Sequence, residues 1–332
     1  MSNSFEKLVI LGTGGTIAGV AASATDHVGY TAAQLSVGEL VAAVPGLSDL
    51  LAGRGLQTEQ VAQVDSKDMS FSIWQALALR VAHHLAQPEV RGVVITHGTD
   101  TLEETAFFLQ SVLPAVLLAD KPVVLVCAMR PATALSPDGP QNLLDALVVA
   151  LTAGACGVVA VCAGVVHGAT DVQKIHPYRL DAFSSGDAGP LGYVEEGRFR
   201  QVRDWAPDPA GIEKIAIEKV ANASVWPRVE LLMSHAGASG AMVDLLVDSL
   251  LTLPPGHPER LCGLVVAGTG NGSVHESLEA GLFRAQAAGV RVLRSSRCPL
   301  GQVLPVPGQG LPVAAGLSPL KARLALMLAL LD

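Results

Sequence analysis

Charge is scarce in this chain. Only 16 % of its 332 residues are Asp, Glu, Lys or Arg, against about 25 % in an average globular protein. What charge there is leans acidic, with 22 Lys and Arg against 30 Asp and Glu and a net charge of −8. Phosphate backbones would be repelled at long range, so no nucleic-acid partner is expected. Aromatic residues are also few, at 4 %, yet 50 % of the chain is hydrophobic, which excludes disorder. Five cysteines at 127, 156, 162, 262 and 298 are odd in number and widely spaced. They make neither a disulfide framework nor a CxxC metal site, and they read as buried small hydrophobes. The nine histidines include no HExxH pair, so no metal and no cofactor is expected. A phosphate loop of the GK[ST] type is absent. One uncharged run, Ala146 to Val166, has the length of a membrane span, but Gly154, Gly157 and Gly164 interrupt it. No membrane association is expected. The N-terminus carries no long apolar core followed by a small-residue cleavage site, and a cytoplasmic location is the corresponding expectation.

Glycine, by contrast, is abundant at 34 residues, and short β-branched runs alternate with helical patterns. Leu8–Leu11, Gly92–Thr96, Lys121–Val126 and Gly157–Val161 read as buried strands. Ser70–Leu85 and Thr101–Leu113 carry apolar residues at helical spacing between them. This alternation predicts an α/β fold: a larger N-terminal domain with a mostly parallel sheet, plus a smaller C-terminal α/β domain. The charged, Arg-rich stretch from Glu195 to Pro209 reads as an exposed linker. Strand-like runs resume at Val229–Met233 and Gly263–Ala267, and Ser318–Pro319 opens a last helix through Leu331. The expected division is 1–200 for the catalytic domain, 201–225 for the linker and 226–332 for the C-terminal domain.

Two strands end in loops able to carry chemistry, Gly12–Gly19 and Thr96–Thr101. Ligands in open α/β sheets bind beyond the carboxyl ends of parallel strands, where strand order switches. In the first loop, Gly14 and Gly15 allow the backbone close to a ligand, and Thr13 and Thr16 add hydroxyls. Ile17 stands where a dinucleotide fingerprint needs its third glycine. The segment Val20–Tyr30, flanked by Gly19 and Gly29, suits a mobile lid carrying one of the three tyrosines. In the second loop Thr99 and Asp100 set a hydroxyl beside a carboxylate, although Asp100 taken alone reads as the N-cap of the following helix. Ser66 and Asp68, just before another helix, also read as caps. Lys174, one of seven lysines, is a candidate base if desolvated.

Together these segments resemble the bacterial-type L-asparaginase family, which includes glutaminase-asparaginases. Thr13–Gly19 and His97–Thr105 are similar to the family's two signature segments. Ser66–Met69, Ala128–Pro131, Asp138–Pro140, Gly189–Tyr193 and Arg294–Arg297 extend the likeness over nearly the whole chain. The resemblance implies an amidohydrolase that converts L-asparagine to L-aspartate and ammonia, with L-glutamine as a second substrate. Thr16 would be the nucleophile and Tyr30 its polarising partner, with Thr99, Asp100 and Lys174 as a second hydrogen-bonded group. Gly15, Ser66, Lys67, Thr99, Asp100 and Asn271 would bind substrate: Ser66 the α-carboxylate, Asp100 the α-ammonium. Asn271 would reach into the site of a partner subunit, in a homodimer or a homotetramer of two close dimers. Two positions depart from the family pattern. Lys67 stands where many members carry Gln, and no Asp or Glu occurs from Arg297 to Leu331, where many members place an acid that orients the lid tyrosine. An amino-acid-binding homologue without catalysis is the alternative reading. The ammonia-producing subunit of a tRNA amidotransferase is a weaker one, disfavoured by the acidic balance.

Overall fold

The computed structural model describes residues 6–205, 214–306, 308, 310–314 and 316–331. The chain divides into two compact units, Met1–Ala210 and Gly211–Asp332.

Among the described residues the first unit is built on ten strands: β1 (Lys7–Gly14), β2 (Gly55–Val64), β3 (Val90–Thr96), β4 (Val123–Val126), β5 (Val158–Cys162), β6 (Val165–Gly168), β7 (Gln173–Lys174), β8 (Phe183–Ser184), β9 (Gly192–Glu195) and β10 (Arg198–Gln201). Eight of them form one sheet in the order β10-β9-β6-β5-β4-β3-β1-β2. β2, β1, β3, β4 and β5 run parallel, and β6, β9 and β10 extend the sheet antiparallel. It is accompanied by the helices α1 (Val37–Ala42), α2 (Leu47–Leu51), α3 (Phe71–Leu85), α4 (Leu102–Val112), α5 (Ala115–Leu118) and α6 (Gly139–Leu151).

The central strands are buried along nearly their whole length, as expected of a parallel sheet covered on both faces. Alternate residues point to opposite faces. Leu8, Ile10, Val94, Val124, Val126, Val159 and Val161 share one core cluster with Leu143, Ala146, Leu147 and Ala150 of α6. The intervening Val9, Leu11, Val93 and Ile95 are equally buried and face the other side. There α3 presents Trp74, Leu77, Ala78, Val81 and Leu85 at helical spacing, and Trp74 stacks on Phe108 of α4 at 5.0 Å. The uncharged run Ala146–Val166 is split between α6 and β5, with Gly154 and Gly157 at positive φ between them. No helix among the described residues is long and apolar enough to cross a membrane.

Beyond the strands expected from apolar runs, the sheet contains β2, β6, β9 and β10. The charged stretch from Glu195 is in part sheet rather than linker. Arg198–Gln201 pairs with β9, Arg200 is held by Glu195 at 2.7 Å, and Phe199 tilts against Trp205 at 4.9 Å. Charged side chains on an edge strand keep it from pairing with other chains, which gives the strand a linker-like composition. Of the span expected as linker, 206–213 lies outside the described residues, and Ile217–Asn222 is helical (α7).

The second unit has a parallel three-stranded sheet, β11 (Arg228–Met233), β12 (Leu261–Gly268) and β13 (Arg291–Ser296), with α8 (Ala241–Leu246), α9 (Glu276–Ala287) and α10 (Pro319–Ala329). Arg284 of α9 grips Asp244 of α8 through both carboxylate oxygens, at 2.9 and 2.7 Å. Ser318 caps α10 by accepting the Lys321 N–H, with Pro319 in the first turn, as the sequence indicates.

Candidate active site

In the order β2-β1-β3-β4-β5, the chain leaves β1 for β2 on one side and resumes at β3 on the other. The strand order therefore switches between β1 and β3, and the loops after those two strands flank the resulting crevice. The two loops are knitted together. Thr13 Oγ1 donates to the Thr96 carbonyl at 2.9 Å, and the Gly15 N–H donates to the Val64 carbonyl, also at 2.9 Å. Gly15, at φ +84°, lies so close to the other loop that a Cβ there would come within 2.3 Å of Gly98 Cα. Glycine is needed at this position both for the backbone angle and for the contact. From the third side, Ser66 Oγ accepts the Asp100 N–H at 3.1 Å, and Thr101 Oγ1 donates to the Ser66 carbonyl at 2.8 Å.

Two polar groups result. In the first, Thr16 Oγ1 and Tyr30 Oη lie 2.6 Å apart. Thr16 is buried in a short 3₁₀ turn backed by Ile17, and Ile17 in turn is backed by Gly139 at the start of α6. Tyr30 closes the segment 20–31, whose ends pair through the Val20 and Thr31 backbones, both bonds at 2.9 Å. Burial holds the Tyr30 phenol above its usual range, and the charges of Asp65 and Asp100 add to that, while the bond to Thr16 pulls the other way. In the second group, Lys174 Nζ donates to Thr99 Oγ1 at 2.8 Å and to Asp100 Oδ1 at 2.7 Å. The Lys174 side chain is 19 % exposed and that of Asp100 49 %, so the pair sits at the rim of the crevice. The excursion between β6 and β9 delivers Lys174 on β7, braced by pairing with β8.

Two family models cover nearly the whole chain: "Asparaginase, N-terminal" over residues 7–206 and "Glutaminase/Asparaginase C-terminal domain" over 228–332. This chain belongs to the asparaginase family. L-asparaginase 2 of Escherichia coli (strain K12) is 37 % identical across 98 % of the chain and 88 % of its own length. Glutaminase-asparaginase of Pseudomonas fluorescens biotype A is 36 % identical across 98 % and 86 %. The crystal structure of a probable cytoplasmic L-asparaginase from Campylobacter jejuni superposes with a TM-score of 0.85 at 37 % identity, covering 98 % of this chain and 95 % of that one.

For an asparaginase family member, the residues picked out by sequence fall into place unevenly. Thr16 with Tyr30, and Thr99 with Asp100 and Lys174, come together as two groups, and Gly15 and Ser66 hold the loops between them. Asp100 is not the helix cap that it resembles in isolation. Thr101 occupies the N-cap of α4, and the Asp100 carboxylate turns to Lys174 instead. Nor do Ser66 and Asp68 cap α3, since Ser70 does so by accepting the Ile73 N–H. Lys67 is 62 % exposed and drawn to Asp65 at 2.6 Å and Asp68 at 3.3 Å. Asn271 lies in the second unit on the turn after β12, where its amide donates to the Leu304 carbonyl at 3.0 Å and accepts the Leu304 N–H at 2.7 Å. Among the described residues no carboxylate hydrogen-bonds Tyr30, and no cluster of His, Cys, Asp and Glu could hold a metal ion.

Three supporting residues fall inside the segments similar to the family, but the segments assign them no role. Glu103, which reads as a charge suited to a helix N-terminus, is buried, and its carboxylate accepts the Lys174 backbone N–H at 2.6 Å. Asp138 accepts the Met129 and Arg130 N–H groups at 2.9 and 3.0 Å, joining two similar segments into one turn. His97 is fully buried behind Thr99. A polar residue at a buried position is the signal common to Glu103 and His97, and burial is not written in the local sequence.

Proposed function

We propose that this chain is an amidohydrolase that converts L-asparagine to L-aspartate and ammonia through a threonine-bound β-aspartyl ester, with L-glutamine as a secondary substrate. The observation that carries the reading is the placement of a phenol-bonded Thr16 beside a Lys174-bonded Thr99 at the strand-order switch. The printed names of the relatives support the substrate class.

In the first step Thr16 Oγ attacks the side-chain carbonyl carbon. The Tyr30 phenol, held protonated by burial, takes the Thr16 proton as it passes its own to the departing nitrogen. A relay of this kind needs no standing phenolate. The C–N bond breaks, ammonia leaves and an ester remains on Thr16. Backbone N–H groups of the two glycine turns stabilise the developing oxyanion, an effect of about 3 kcal/mol per donor. The Gly15 N–H is already bonded to Val64, so the donors come from the residues beside it and from the facing loop. In the second step, Thr99, Lys174 and Asp100 orient water against the ester. Aspartate leaves and Thr16 regains its proton.

Ser66 keeps its hydroxyl hydrogen free of the Asp100 N–H that its oxygen accepts, and directs it to the α-carboxylate. Asp100 accepts the α-ammonium. Asn271 from a partner subunit completes the site in a homodimer or homotetramer. A cytoplasmic location accords with the name of the Campylobacter jejuni relative, whereas a relative from Haemophilus influenzae is named periplasmic.

Ammonia release from L-asparagine and L-glutamine tests the reading, with Thr16→Ala and Thr99→Ala beside the unaltered protein. Turnover should fall by several orders of magnitude in each variant. Near-normal turnover in Thr16→Ala overturns the nucleophile assignment. Binding of asparagine without ammonia release from the unaltered protein favours a binding homologue.

A further inference from the structure

A chain of buried polar groups runs from the core of the first unit to the Thr99 loop. Trp74 Nε1 of α3 donates to Thr105 Oγ1 of α4 at 2.8 Å. Thr105 Oγ1 lies 2.9 Å from His97 Nε2, and His97 Nδ1 lies 2.7 Å from the Gly98 carbonyl oxygen. A carbonyl can only accept, so Nδ1 carries the proton and donates it. Nε2 of a neutral ring then accepts, and the Thr105 hydroxyl donates to it while accepting from Trp74. Each group has one consistent role. His97 and Thr105 are fully buried, and Trp74 nearly so. Burial depresses the His97 pKa to about 4, with the Gly98 bond opposing, so the ring is neutral near pH 7.

The end of the chain of bonds is what matters for the site. Gly98 is packed so closely between Ser66 and Gly15 that a Cβ there would come within 2.4 Å of Ser66 Oγ. The Gly98 Cα is therefore hemmed in by Ser66 and Gly15, and the carbonyl of the peptide it shares with Thr99 is held by His97. Rotation of that plane would turn Thr99 away from Lys174.

We propose that His97 is a positioning residue: through its Nδ1–H bond to the Gly98 carbonyl it fixes the Gly98–Thr99 peptide and so aims the Thr99 hydroxyl at Lys174. The inference rests on the amidohydrolase reading only for the activity by which it is most easily measured. Two substitutions separate the ends of the ring. Asparagine places its amide near Nδ1 and can keep the Gly98 bond while leaving Thr105 unmatched. Glutamine reaches the position of Nε2 and can keep Thr105 while releasing Gly98.

The experiment compares kcat and KM for asparagine, thermal midpoints and crystal structures of His97→Gln and His97→Asn with those of the unaltered protein. Displacements of about 1 Å at a reacting group can cost on the order of a hundredfold. His97→Gln should lose about tenfold to a hundredfold in kcat with KM little changed and show a turned Gly98 carbonyl, whereas His97→Asn should recover most of kcat although its midpoint also falls. Equal kcat in the two variants, whether retained or lost, overturns the proposal, as does a Gly98 carbonyl that stays in place in both structures. If the unaltered protein releases no ammonia, the amidohydrolase reading fails, and the two crystal structures still decide the role of His97.

Discussion

The two halves of the site are built differently. The Thr16–Tyr30 half is two neutral groups joined by one 2.6 Å contact, and its phenol arrives on a surface segment whose ends pair with each other and whose Ala24 carbonyl accepts the Leu135 N–H at 2.9 Å. The Thr99–Asp100–Lys174 half is an ion pair with a hydroxyl between its partners. Ser66 supports it from one side, Glu103 supports the Lys174 backbone, and His97 supports the carbonyl behind Thr99. Thr16 thus has one partner, carried on a surface segment, while the charged group is braced by three further residues. Preorganised dipoles and charges cost no rearrangement at the moment of reaction, which is where a polar site gains most.

Substitutions can break that contrast, beginning with the largest effect. Thr16→Ala should lower kcat by about 10⁴ or more in ammonia release, because it removes the hydroxyl proposed to form the ester. Tyr30→Phe should cost on the order of 10²–10³, the range of general acid–base assistance, with asparagine binding kept by Ser66 and Asp100. Comparable loss of binding would show that the lid half holds substrate as well as reacting with it.

Acid stability sharpens the contrast from the other side. His97 is about 4 when folded, below the usual 6.5, so the unfolded chain takes up its proton first as pH falls. Its contribution to stability is complete above about pH 6.5 and is lost as pH drops through 4, a change of about 3 kcal/mol. Urea unfolding of the unaltered protein and of His97→Asn at pH 7 and pH 4 should differ by about that amount. Glu103→Gln, which weakens the acceptor of the Lys174 N–H, should lower kcat about tenfold, since a bond to a charged group contributes about 1.5–3 kcal/mol. Lys67→Gln should change kcat/KM by less than about fivefold, because an exposed ion pair contributes about 0–1 kcal/mol. A larger change would place the Lys67 cation on the substrate.

The contrast also explains what the sequence discloses. The Thr16 half is legible because loop chemistry is local: a buried strand, three glycines and two hydroxyls within Leu8–Thr16. The parallel core strands are legible for the same reason, each an unbroken β-branched run. β2 is not, since Gln57, Thr58, Glu59, Gln60 and Gln63 leave it half-exposed at the sheet's end, with no apolar run to mark it. The supports of the charged half depend on contacts between residues far apart in sequence, Lys174 with Glu103 and Asp100 with Ser66. Asp100 alone looks like a cap because a carboxylate before a helix often is one. Its partner arrives from 74 residues away and decides otherwise.

The missing acid of the C-terminal segment meets the same limit. Sequence shows only that none follows Arg297 before Asp332, whereas the structure shows that Tyr30 feels the charges of Asp65 and Asp100 without bonding to either.

Acid-quenched mass spectrometry of the Thr99→Ala variant during turnover of L-asparagine tests the division of labour most directly. With water activation impaired and the nucleophile intact, peptide mapping should find an aspartyl ester on Thr16. An ester on another residue, or continued ammonia release with Thr16 unmodified at every quench time, would contradict the account.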